Sequence, residues 1–199
     1  MAFLDYDNDG WRDIFAANGH VYPEVDGKLK ETYKEPMQLF RNLGNGKFQE
    51  VSKEAGLWAM PPRSSRGGAV ADYDNDGDID ILVTPIEDKP VLLENTGGNR
   101  NHWLTMRLMG VKGNRDAIGA KVRVVTAGGV QYDRPRAGDS FMSSRDPRLH
   151  FGLGAHTKAD VIEIRWPGGR EERIENVAAD QFITIREGQG IVSPSTGRP

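Results

Sequence analysis

Cysteine is absent from all 199 residues, which excludes a disulfide framework and thiolate chemistry of any kind. No run of about 18 apolar residues occurs, so no segment has the length and composition of a membrane-spanning helix. The first residues lack the basic, apolar and small-residue succession of a secretory signal. No basic stripe with interleaved aromatics appears, and nucleic acid is not an expected partner.

What is present is glycine, 24 residues, and acid that is unevenly distributed. Residues 1–98 hold 10 Lys and Arg against 18 Asp and Glu, a balance of -8. Residues 99–199 hold 16 against 11, a balance of +5. An acidic half of this kind asks for cations, whereas a mildly basic half spread over strands reads as solvated strand faces. At 37% hydrophobic and 28% charged residues, the composition is that of a globular protein of one or two units.

The acid is patterned. Asp5-Tyr6-Asp7-Asn8-Asp9-Gly10 returns unchanged at Asp72-Tyr73-Asp74-Asn75-Asp76-Gly77, an offset of 67 residues. The similarity extends outward: Ala2-Phe3-Leu4 matches Ala69-Val70-Ala71, and Asp13-Ile14-Phe15 matches Asp80-Ile81-Leu82. A second matched pair, Leu39-Phe40-Arg41-Asn42 and Leu92-Leu93-Glu94-Asn95, follows at a shorter offset. The repeating unit is strand, acidic loop, strand, variable loop, strand, and then an Asn/Gly turn. Repeats of this size built from short strands point to propeller blades. Ile79 to Thr84 is a β-branched run of strand length, and Gly44-Asn45-Gly46 is a hairpin signal.

After Gly98 six further strand candidates follow: 102–109, 120–126, 130–134, 149–151, 161–166 and 182–186. Gly128-Gly129 and Pro167-Gly168-Gly169 supply hairpin turns, which predicts a small antiparallel β-sandwich or barrel. The reading is therefore all-β: acidic-loop repeats over 1–98, a β domain over 99–187, and a frayed tail over 188–199.

Carboxylates fall at loop positions one, three, five and nine in both copies: Asp5, Asp7, Asp9 and Asp13, then Asp72, Asp74, Asp76 and Asp80. Asp78 adds a carboxylate at position seven, where the first copy has Trp11. Alternate residues of a tightly curved loop aim at one centre, and the glycine at position six permits the curve. Four clustered carboxylates repel one another unless a cation joins them. Oxygen-only donors favour Ca²⁺, with the position-seven carbonyl of Trp11 or Asp78 and water completing the shell, for about two structural ions in all. An EF-hand is excluded because position twelve is Ala16 or Val83 rather than glutamate and the flanks are strands.

These loops resemble the integrin-type FG-GAP or VCBS propeller repeat, in which a DxDxDGxxD loop holds calcium between two blade strands. Residues from about Asn114 to Arg186 resemble the ASPIC/UnbV domain of the cartilage acidic protein family. The resemblance rests on Ile118-Gly119-Ala120-Lys121-Val122, Asp146-Pro147-Arg148-Leu149-His150-Phe151-Gly152-Leu153-Gly154 and Ile164-Arg165-Trp166-Pro167-Gly168-Gly169. It implies a partial propeller of two blades, with either upstream blades or a homo-oligomer completing it. The parent protein is then extracellular or periplasmic, and the function is non-enzymatic binding of a protein or glycan. An accessory protein or enzyme of secondary-metabolite biosynthesis is the alternative.

No catalytic residue is assigned. His150 near Ser143, Ser144 and Asp146 lacks the spacing of a triad and is expected to pack on a strand face. Glu163, Glu171 and Glu172 read as exposed strand positions, and Arg145 and Arg148 as salt-bridged turn residues. Trp58, Trp103 and Trp166 read as packing residues.

Overall fold

Short β-branched runs punctuated by glycine satisfy their backbone by pairing with one another, and among the described residues every regular element of appreciable length is a strand. The computed structural model describes residues 1–28, 30, 32–138, 140–141 and 143–195. Among them the first acidic loop joins β1 (Ala2–Leu4) to β2 (Asp13–Ala16), and β3 (Gln38–Asn42) and β4 (Phe48–Glu50) complete an antiparallel sheet in the order β1-β2-β3-β4. The second acidic loop joins β5 (Ser65–Ala71) to β6 (Asp80–Pro85), and β7 (Val91–Leu93) pairs with β6. The repeat seen in the sequence is thus a repeat of sheets.

Alternation sets the faces. Leu4, Phe15 and Leu39 are buried from the first sheet, and Val70, Ile81 and Val83 from the second, so the two sheets share one apolar core. Phe3, Leu82 and Leu92 point the other way and remain partly exposed.

Beyond Asn101, β8 (His102–Met109), β9 (Lys121–Thr126), β10 (Gly129–Asp133), β11 (Leu149–Gly154), β12 (Lys158–Arg165), β13 (Glu171–Ala178), β14 (Gln181–Arg186) and β15 (Gly190–Ser195) form two four-stranded sheets, β10-β9-β12-β13 and β11-β8-β14-β15. Leu104, Met106, Phe151 and Ile185 of one meet Val122, Val124, Ile162 and Ile164 of the other in a second core. The arrangement is an open sandwich rather than a barrel.

Three details differ from the sequence reading. The pair β8 and β14 is parallel, in register from Gln181↔Leu104 to Arg186↔Met109, so the sandwich is not wholly antiparallel. Strand β13 went unread because its residues, Glu-Glu-Arg-Ile-Glu-Asn-Val-Ala, are charged on the outer face and carry little apolar signal. The expected tail is the paired strand β15 as far as Ser195: Gly188 and Gly190 take φ of 81° and 70°, which turns the chain back along β14. Residues 196–199 of that expected tail lie outside the described residues.

Candidate metal centre

Each acidic loop is organised by its own backbone N–H groups, and the two copies agree bond for bond. Asp5 accepts from Asp9 N at 3.0 Å and Gly10 N at 2.8 Å; Asp72 accepts from Asp76 N at 3.1 Å and Gly77 N at 3.0 Å. Asp13 accepts from Tyr6 N and Asn42 N, and Asp80 from Tyr73 N and Asn95 N. The curve depends on left-handed backbone at Asn8 (φ 56°) and Asn75 (φ 61°), a conformation asparagine tolerates better than most residues.

This framework gathers Asp5, Asp7 and Asp13 in one loop and Asp72, Asp74 and Asp80 in the other, with one oxygen of each residue within 4.8 Å of the others. Asp9 and Asp76 each turn one oxygen to the N–H two residues on, Trp11 N and Asp78 N, both at 2.9 Å. The Trp11 indole is half exposed, and Asp78 is fully buried with one oxygen bonded to Gly98 N at 3.0 Å.

Burial pushes the clustered carboxyls up: Asp5 well above the ordinary range, Asp13 to about 7, Asp72 to about 6 and Asp78 to about 7. Asp7 and Asp80 are raised as well, chiefly by burial and then by neighbouring carboxylates. The equivalent oxygens Asp7 Oδ1 and Asp74 Oδ1 are buried without a hydrogen-bond partner, as is Asp78 Oδ1. Buried acceptors are rarely left unmatched, and equivalent orphans in two copies of one loop fit a cation-binding role. The donors are all oxygen, the set that suits calcium.

Residues 5–83 match the FG-GAP-like repeat family, and residues 110–192 match the ASPIC and UnbV family. The chain thus joins a segment similar to FG-GAP-like repeats to one similar to the ASPIC and UnbV family. It is similar to cartilage acidic protein 1 of Homo sapiens, 27% identical over 187 residues, covering 92% of this chain and 27% of that protein. The Xenopus tropicalis protein of the same name is 28% identical over 172 residues, covering 83% of this chain and 25% of its own length. The chain spans about a quarter of the length of the curated relatives it matches.

The segment after Asn101 closes over the acidic loops of the first half. Gly154 N donates to Asn8 O at 2.8 Å, Arg148 reaches Asn75 Oδ1 at 2.6 Å and Asp72 O at 2.7 Å, and Arg12 pairs with Asp133 at 2.7 Å. Asn8 Nδ2 bonds Gly77 O at 2.9 Å, linking one loop to the other. These junction residues were missed as functional positions. The signal was the asparagine at position four of both loops.

His150 is buried at this junction rather than simply packed on a strand face: its two nitrogens meet Thr105 Oγ1 at 2.8 Å and Asn8 Oδ1 at 2.6 Å. Ser144 Oγ instead donates to Ala137 O at 2.8 Å, and Asp146 is held by Arg148 at 2.6 Å. Glu163 lies between Arg123 and Arg173, each at 2.7 Å, on an exposed ladder. Arg145 and Arg148 are ion-paired as expected and Trp103 and Trp166 are buried, but Trp58 does not pack: it is exposed on the short turn Leu57–Ala59, whose buried residue is Leu57.

Proposed function

We propose that this chain is a calcium-stabilised, non-enzymatic interaction module of an exported β-propeller protein. Calcium enters both acidic loops, held in the first by Asp5, Asp7, Asp9, Asp13 and the Trp11 carbonyl, and in the second by Asp72, Asp74, Asp76, Asp80 and the carbonyl of Asp78. The ion supplies charge neutralisation, and the protein supplies the curve that presents the oxygens. The observation that carries this reading is the matched pair of buried, unpartnered oxygens on Asp7 and Asp74. Residues 1–98 act as two blades and residues 99–187 as the domain packed on their loops, with further blades of the parent completing the propeller.

Neutralising the loops also sets Asn8 and Asn75 in place for the second half, so ion binding and docking are coupled. The loop surface left over then contacts a protein or glycan, in keeping with loops carried on a rigid scaffold. The test is a thermal melt of the whole chain in calcium and in EDTA, with elemental analysis. A higher melting temperature in calcium and about two ions per chain are expected. An unchanged melt with no bound metal overturns the proposal.

A further inference from the structure

The two loops are copies in backbone but not in surrounding charge. In the matched bonds from Asn42 N to Asp13 and from Asn95 N to Asp80, the residue before the donor is Arg41 in the first copy and Glu94 in the second. The Arg41 guanidinium lies 2.8 Å from Asp7 Oδ2 and 3.2 Å from Asp9 Oδ2, so a fixed cation already leans on two carboxylates of the first cluster. Glu94 instead places a negative charge on the residue before Asn95, whose N–H bonds Asp80 of the second loop at 2.8 Å.

Position seven widens the difference, with the neutral Trp11 in the first copy and the buried Asp78 in the second. Other cations nearby do not reverse it. Arg148 touches the second loop but is matched by Asp146 at 2.6 Å, Arg12 is matched by Asp133 at 2.7 Å, and Arg100 lines the crevice shared by Asp7 and Glu94.

We propose that the loops are unequal calcium sites, the second about tenfold or more tighter than the first, and that Arg41 sets the difference. A unit charge beside a divalent ion changes affinity by about a factor of ten even where solvent screens it. The inference rests on the calcium reading above. Over a range of intermediate calcium the protein then holds one ion, in the second loop, while Arg41 partly neutralises the first.

Calorimetric titration of the whole chain with CaCl₂ tests this. The expected result is two classes of site. Arg41→Gln tightens the weaker class about tenfold, Arg41→Lys leaves it weak, and Glu94→Gln loosens the tighter class. Asp74→Asn removes the tighter class and leaves the weaker; should that variant not fold, Asp7→Asn makes the same assignment by removing the weaker. Two equal sites, a weaker class indifferent to Arg41→Gln, or loss of the weaker class in Asp74→Asn overturns the ranking while leaving the calcium reading intact. No calcium uptake by any form overturns both.

Discussion

His150 Nε2 lies 2.6 Å from Asn8 Oδ1, joining the sandwich to the first acidic loop. Asn8 Nδ2 donates to Gly77 O, which fixes the amide with Oδ1 as the acceptor. His150 therefore carries its hydrogen on Nε2 and accepts the Thr105 hydroxyl at Nδ1. The ring is neutral, and burial pushes its pKa down to about 3, with the Arg145 and Arg12 charges acting in the same direction.

The first prediction concerns this bond. His150→Phe and Asn8→Ala each lower stability by about 2–4 kcal/mol, because each leaves a buried polar partner unmatched. Urea unfolding of both single variants and the double variant is expected to give a coupling of about 1 kcal/mol or more. Additive losses would show that the two residues act separately.

The second concerns acid. The folded pKa of His150 lies below its unfolded value near 6.5, so the unfolded chain takes up a proton that the folded one refuses. Its contribution is complete above about pH 6.5 and declines as pH falls toward 3. In saturating calcium, stability between pH 7.5 and 4.5 is expected to fall more steeply in the parent than in His150→Gln. Parallel curves would contradict the assignment.

The third has the opposite sign. Without calcium the folded pKa values of Asp13, Asp72 and Asp78 stand near 7, 6 and 7, above the ordinary carboxylate range. The folded state then binds more protons than the unfolded, and the stability so gained is lost as pH rises through about 4 to 7. In EDTA, the triple variant Asp13→Asn, Asp72→Asn, Asp78→Asn is expected to lose the part of the pH dependence that destabilises the parent at pH 8 relative to pH 5.5. Added calcium is expected to reverse that slope in the parent, since a bound ion favours ionised carboxylates.

The fourth compares two glycines. A Cβ on Gly152 would overlap Asp5 Oδ2 and stand 2.6 Å from Asn8 Cα and from Asn8 C, whereas one on Gly168 meets nothing within 4 Å. Gly152→Ala is expected to cost about 3 kcal/mol or more, or to prevent folding, and Gly168→Ala to change stability by less than about 1 kcal/mol. Circular dichroism melts of the two variants check this, and equal melts would refute the close approach.

Much of the fold was legible because strand patterning is local. Ile79 to Thr84 and Phe182 to Arg186 declare themselves by alternation and β-branching, and the repeat is visible as a matched string. Strand β13 was hidden because its exposed face is charged, and β15 because its glycine, serines and proline resemble those of a loop. Pairing partners supplied what their composition did not. The parallel alignment of β8 and β14 could not be read either, since residues 77 positions apart in the chain carry no local mark of direction.

The sequence by itself determined the chemistry of the loops, because carboxylate spacing and the glycine at position six are local properties of six to nine residues. Which oxygens remain unpartnered, that Arg41 leans on Asp7, and that His150 is a neutral bridge to Asn8 came only from the folded arrangement. Those facts depend on burial and on contacts between residues up to 142 positions apart, for which no local pattern exists.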